Sequence, residues 1–384
     1  MNNFEFFNPT RIIFGKNRIN NVGKIVKEYT KNNNILLVIS ESSKKNGILD
    51  IVTASLNEQN INYYILDGIV SNPVLDCVYK GKSICEKNNI DFVLGIGGGS
   101  VIDTAKTIAV AAYHNEDIWD LVCNPLNIKG AISLGTIITL YGSGTEMTNG
   151  AVISNTMIPK KRGFDSKFMY PKFSILDSTT LESCDRNYLL IGMTDMLTHV
   201  LEEYFEITDD NNFSDEFQEL LVNKMIDEFK KVSEDNFNNE KLLWMSTLAQ
   251  NKFLSFGKKY NGEWVAHILA HEFCIKYNFP HGRVVAILFI SWLKFIKDIN
   301  EKRIISFGEK VFNLKNPSAI EVINKLQEIY TMLGNPLSLS DLGANKEDID
   351  EIVNNAMFGK VLGKYKVLDK NDVKRIILGA YYGN

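Results

Sequence analysis

Asp195 and His199 stand four residues apart, and His267, His271 and His281 follow within one short stretch further on. Four of the chain's five histidines therefore fall in a single region, which scatter alone would rarely produce. Residues four apart share a helix face, so Asp195 and His199 present a carboxylate and an imidazole side by side. One oxygen donor with several imidazoles is the donor set that holds Zn²⁺ or Fe²⁺. The pattern points to an enzyme with a first-row metal. His267 and His271 are also spaced i, i+4, while His281, between Pro280 and Gly282, reads as a turn leading into the next helix. Spacing alone makes His267 and His271 the ligand pair with His281 as a candidate third. The plainer alternative is a set of buried, hydrogen-bonded imidazoles.

A second kind of chemistry is written in glycine. DFVLGIGGGSVIDTAK (91–106) reads as a strand, a glycine turn and a helix start. Gly97, Gly98 and Gly99 let backbone amides approach a ligand with no side chain in the way. The N-terminus of the following helix carries free N–H groups and partial positive charge, which suits a pyrophosphate. Ser100 with Asp103 three residues on resembles a capping box, and Lys106 is placed to pair with Asp103 or to reach solvent. The pattern is not GxGxxG, so on its own it is equally a tight turn without a ligand. Gly142 and Gly144 in ITLYGSGTEM (138–147) form a second loop of the same kind, after a neighbouring strand.

Those loops need strands to carry them. ILLVIS (35–40), NYYILDG (62–68), DFVLGIGGGS (91–100), AISLGTIITL (131–140) and PKFSILDST (171–179) read as strands, with helical patterns between the first four. Such alternation predicts a parallel sheet covered by helices. After about Leu181 the β signals fade and helical patterns dominate, among them 189–205, 217–232, 240–256 and 372–382. The Asp/Asn-rich stretches 208–215 and 234–240 read as exposed loops between helices. At 384 residues, two domains are the natural expectation.

Bulk properties exclude several classes. The net charge of −4, from 42 basic and 46 acidic residues, comes with no dominant basic patch and argues against nucleic acid. VVAILFISWL (284–293) is too short to span a bilayer and reads as a buried helix. MNNFEFFNPTRIIFG at the start lacks the basic-then-apolar order of a signal peptide. Five cysteines, an odd number without a CxxC pair, fit a reducing, cytoplasmic setting better than disulfides.

Five ordered blocks together resemble the iron-containing (group III) alcohol dehydrogenases, and most of all their bacterial butanol dehydrogenase branch. They are GGGSVIDTAK (97–106), GSGTEMTNGAVIS (142–154), PKFSILD (171–177), GMTDMLTHVLEEYF (192–205) and GEWVAHILAHEF…PHG (262–282). The resemblance covers nearly the whole length. It implies a Rossmann-like parallel-sheet, dinucleotide-binding α/β domain over 1–182 and an all-helical metal-binding domain over 183–384, with the active site in the cleft between them. It implies Asp195, His199, His267 and His281 as metal ligands, and so sets aside His271 as a ligand in favour of a proton-handling histidine near the nicotinamide. The implied metal is Fe²⁺, with Zn²⁺ in some relatives. Gly97, Gly98, Gly99 and Ser100 match the pyrophosphate loop, with Asp103 and Lys106 in their usual places; Asn72, Thr139 and Lys161 match cofactor-contacting positions. The implied reaction moves a hydride between NAD(P) and a small primary alcohol or aldehyde, in a homodimer free of membrane or nucleic acid.

One segment departs from the branch. Where its members carry a GGGS stretch after the second strand, this chain has Ser40-Glu41-Ser42-Ser43. A carboxylate at Glu41 would accept bonds from ribose hydroxyls and repel a 2′-phosphate, predicting NAD(H) over NADP(H). The converse holds if Glu41 points to solvent and Lys44 or Lys45 takes the phosphate. Rival readings are a glycerol-type polyol dehydrogenase, a dehydroquinate-synthase-like lyase and a non-catalytic descendant. The Asp-plus-three-His set argues against the lyase, whose relatives use a Glu and two histidines.

Overall fold

The computed structural model describes residues 2–207, 213–359 and 361–383. Over these residues the chain forms two compact units. One takes in Phe7–Leu189 with Asn239–Thr247, and the other takes in the rest.

The first unit is built on a six-stranded sheet. Its strands are β1 (Arg11–Phe14), β2 (Asn34–Ile39), β3 (Asn62–Leu66), β4 (Phe92–Gly97), β5 (Ser133–Ile138) and, after an intervening hairpin, β8 (Phe173–Leu176). The hairpin is β6 (Gly150–Asn155) and β7 (Lys160–Asp165), paired antiparallel. The order across the sheet is β1-β8-β5-β4-β2-β3, and every pairing is parallel. Helices Val22–Lys27, Ile48–Glu58, Leu75–Lys87 and Gly99–Ala111 connect the strands. The sequence of β2 shows why both faces are covered. Ile35, Leu37 and Ile39 enter one apolar cluster with Val22, Val52 and Phe92, while Leu36 and Val38 enter another with Val78, Val101 and Ile108. A strand buried on both faces is apolar at every position, which is why these runs stand out.

From β2 the chain moves outward to β3, then returns to place β4 on the other side of β2. The direction of winding thus reverses between β2 and β4. Ligands of doubly wound sheets bind at such a reversal, beyond the carboxyl ends of the strands. Glu41 follows β2 there, and Gly98 and Gly99 follow β4.

The second unit is helical. Its longer members include Arg186–Tyr204, Phe213–Phe229, Val265–Tyr277, His281–Ile296, Glu301–Phe312 and Ala319–Met332. Residues 284–293 are buried in the helix His281–Ile296, with Phe289 and Trp292 fully enclosed. Among the described residues no helix is long and apolar enough to cross a membrane.

Two sequence expectations need correction. The helical pattern at 240–256 ends at Gln250, and turns follow. Of the stretch 208–215, residues 208–212 lie outside the described residues, but 213–215 open a helix and Asp215 is fully buried. Its carboxylate accepts from Arg303 Nη2 at 2.8 Å and from Lys258 Nζ at 2.9 Å. Burial pushes the Asp215 carboxyl up, yet Arg303 and Lys258 outweigh it and hold it below its ordinary value. An aspartate that reads as loop solvation is half of an internal ion pair.

Candidate functional site

The helix Arg186–Tyr204 carries Asp195 and His199 one turn apart. Val265–Tyr277 carries His267 and His271, and His281 is the first residue of the helix that follows Pro280. Gly282 brings two of these helices together. A Cβ there would stand 2.7 Å from the carbonyl oxygen of Ile191 and 3.3 Å from Asp195 Cβ. Only a residue without a side chain allows this approach, so Gly282→Ala should cost about 1–3 kcal/mol through backbone displacement. Thermal unfolding of the metal-free protein would read that loss, and an unchanged midpoint would show that the contact relaxes freely.

The approach gathers donors. His267 Nε2 lies 3.9 Å from Asp195 Oδ1, and His281 Nε2 lies 4.0 Å from the same oxygen. One donor atom from each of the three residues lies within 4.8 Å of the others. Two ligand bonds of about 2.0–2.2 Å span at most about 4.4 Å. A single first-row cation therefore fits between Asp195 and either imidazole. His199, buried, stacks its ring on that of His267 with centroids 4.7 Å apart and planes at 16°. His271 is half-buried, its ring 5.6 Å from that of His281. The pairing suggested by spacing alone, His267 with His271, is thus not the pairing whose donors converge with Asp195.

Behind the cluster sits Glu202, fully buried and one turn beyond His199. Its Oε1 accepts from the Ala266 N–H at 2.9 Å, and its Oε2 accepts from the His267 N–H at 3.3 Å and from His267 Nδ1. Nothing in the sequence singled it out, because its partners lie more than sixty residues away and follow no local period.

In the sheet unit, Gly97 ends β4, Gly98 precedes the helix Gly99–Ala111 and no side chain caps that N-terminus. The capping box expected from Ser100 and Asp103 does not form. Ser100 lies inside the first turn, and Asp103 turns away to accept from Thr145 Oγ1 at 2.7 Å and from the Val152 N–H at 2.9 Å. Burial pushes the Asp103 carboxyl up, while Lys106, Thr145, Val152 and Lys161 oppose it. Lys106 does not reach solvent. It is fully buried, and its Nζ donates to the carbonyl oxygens of Thr145 at 2.6 Å and of Thr148 and Gly150 at 2.8 Å. Lysine and aspartate from one helix thus fasten the loop after β5.

The two glycine loops meet. A Cβ on Gly99 would stand 2.6 Å from Ser143 Oγ, and the Thr139 N–H donates to the carbonyl of Gly97 at 3.1 Å. The bare backbone N-terminus beside them is the kind of cradle a pyrophosphate needs. Asn72, in a left-handed conformation at φ 59°, accepts from Lys161 Nζ at 2.8 Å. The hairpin of β6 and β7 makes this contact, with the Ser154 N–H donating to the carbonyl of Pro73 at 2.8 Å. Glu41 starts a short helix after β2 and stays exposed, 3.6 Å from Lys45, while Lys44 pairs with Asp67.

The family model for iron-containing alcohol dehydrogenase matches residues 9–178, and that for the C-terminal domain of the same Fe-containing family matches 190–381. The chain belongs to the iron-containing alcohol dehydrogenase family. It is 36% identical over 386 residues to a probable NADH-dependent butanol dehydrogenase 1 of Bacillus subtilis, covering 98% of this chain and 99% of that one. It is 28% identical to an NADPH-dependent aldehyde reductase of Escherichia coli, over 92% of each chain. The crystal structure of NADH-dependent butanol dehydrogenase A from Thermotoga maritima superposes with a TM-score of 0.94, at 32% identity over 99% of both chains. As a member of the iron-containing alcohol dehydrogenases, the chain is an oxidoreductase that works with a metal and a nicotinamide cofactor. Its parallel sheet and helical half are those of the family fold.

Proposed function

We propose that this alcohol dehydrogenase reduces small aldehydes of butanal size to primary alcohols, with NADH as the preferred donor. The observation that carries the reading is the convergence of Asp195, His267 and His281 on one another's donor atoms. In this reading Asp195, His199, His267 and His281 hold a cation, Fe²⁺ or Zn²⁺ by the chemistry of the donor set. When bound, the cation supplies Lewis acidity to the substrate oxygen and the nicotinamide supplies the hydride. The chain's own residues bind and orient. The amides of Gly98, Gly99 and Ser100 take the pyrophosphate, Thr139 and the Asn72–Lys161 pair flank the cofactor, and Asp103 acts by fixing the loop. His271 would supply the proton that the substrate oxygen takes up as the alcohol forms.

The preference for NADH rests on the end of β2. Asp67 pairs with Lys44 and Glu41 lies 3.6 Å from Lys45, so a carboxylate stands beside each lysine of that turn that a 2′-phosphate could use. The name of the Bacillus relative points the same way, while that of the Escherichia reductase shows that the wider family uses both cofactors. Glu41 is exposed, so its repulsion is worth only about 1 kcal/mol, or about fivefold. The wild type should show higher kcat/KM for NADH than for NADPH with butanal, and Glu41→Ala should narrow the ratio by about that factor. Equal or better use of NADPH by the wild type would sink the preference.

A further inference from the structure

We propose that Glu202 is a positioning residue for the metal site, setting the tautomer and orientation of His267 and cancelling the positive end of its helix. The inference rests on the reading of His267 as a metal ligand, and it adds a residue that touches neither substrate nor cofactor.

Two observations carry it. First, Glu202 accepts from His267 Nδ1, and Nδ1 is the nitrogen turned away from Asp195. A carboxylate accepts only, so it fixes the proton on Nδ1 and leaves the Nε2 lone pair directed at the side where Asp195 Oδ1 lies 3.9 Å off. An imidazole backed by a carboxylate is also a more basic ligand. Second, His267 lies in the first turn of Val265–Tyr277, whose residue before the helix, Trp264, contributes no side-chain cap. The free N–H groups of such a turn carry partial positive charge, which would oppose a cation held nearby. Glu202 takes up two of them, from Ala266 and His267, and places a full negative charge against that end. One side chain therefore removes two obstacles to binding a cation, the wrong tautomer and the helix dipole. Its own place is secured by the helix that bears His199 and Asp195, so ligand and support are referenced to the same element.

The test uses the full-length protein freed of metal, with Zn²⁺ affinity read by competition against a chromophoric chelator. Glu202→Gln keeps the shape but removes the charge and sets an N–H against one of the three donors that the carboxylate accepts, so His267 loses its anionic support. It should weaken Zn²⁺ binding about 10–100-fold. In a His267→Ala background the same change should cost markedly less, because the tautomer route is gone and only the charge at the helix end is lost. An unchanged affinity in Glu202→Gln, or an equal loss in both backgrounds, overturns the proposal and leaves Glu202 as a purely structural cap. Should Glu202→Gln not fold, Glu202→Asp, with the charge on a shorter arm, is read in the same way. Asp195→Ala serves as the control for the underlying reading. If it binds Zn²⁺ as tightly as the wild type, the cluster is not the metal site. If only Glu202→Gln leaves affinity unchanged, the site stands and the role of Glu202 falls.

Discussion

Asp195→Ala should release the metal and lower aldehyde reduction by at least about 10³-fold while the protein stays folded. Asp195 is the common neighbour in the cluster, with both His267 Nε2 and His281 Nε2 within 4.0 Å of its Oδ1. It is also the one carboxylate among the three converging donors. Removing it takes away a formal charge that offsets the cation and leaves imidazoles alone. Lewis-acid stabilisation worth several kcal/mol is lost with the metal, and each 1.36 kcal/mol is a factor of ten in rate. Alanine is the best helix former, so the helix Arg186–Tyr204 should persist. Metal content per chain and butanal-dependent NADH oxidation, measured on one preparation, check the claim. Full metal occupancy in the variant would show that the donors lie elsewhere.

Lys106→Met should lower the unfolding midpoint by about 10 °C and weaken nicotinamide binding. The Lys106 ammonium is fully buried and donates to the carbonyl oxygens of Thr145, Thr148 and Gly150 and to Thr145 Oγ1. Methionine fills the volume but satisfies none of these acceptors, and it strips Asp103 of its compensating charge. Breaking a buried, hydrogen-bonded charge in this way typically costs about 3–5 kcal/mol. At about 2–4 °C per kcal/mol for a unit of this size, the shift is about 10 °C. The loop that is released includes Ser143, which packs on Gly99, so the cofactor cradle loosens with it. Thermal unfolding and NADH fluorescence titration read the two effects. A midpoint within about 2 °C of the wild type would mean that the lysine is not the fastening of this loop.

These two residues mark what the sequence makes legible and what it does not. Asp195 and His199 are recognisable because the helix period itself brings them together. The central strands are equally plain, since burial on both faces leaves β2 apolar after its first residue and β4 apolar or glycine throughout. The strand β1 is only four residues, RIIF, too short for a period to show. The hairpin strands GAVISN and KKRGFD mix apolar with small, polar and charged residues, so no alternation marks them; buried Ala151, Ile153 and Phe164 and the bonds to Asp103 and Asn72 together set their place. Lys106 reads as a partner of Asp103 or a solvated lysine because its acceptors lie 39–44 residues further along the chain. Glu202 is hidden for the same reason: the bond that gives it meaning joins it to a helix about 65 residues away. Asp103 is legible by type and spacing, yet its carboxylate faces Thr145 and Val152 and not the helix cap that the spacing suggests.

The most direct test of the whole account is anaerobic restoration of activity to metal-free protein. NADH and butanal are mixed with the apoprotein, Fe²⁺ is added, and NADH oxidation is followed alongside butanol formation. No turnover is expected before the metal and, after it, one butanol for each NADH consumed. Turnover of equal rate without metal, or none once Fe²⁺ and NADH are shown to be bound, would contradict it.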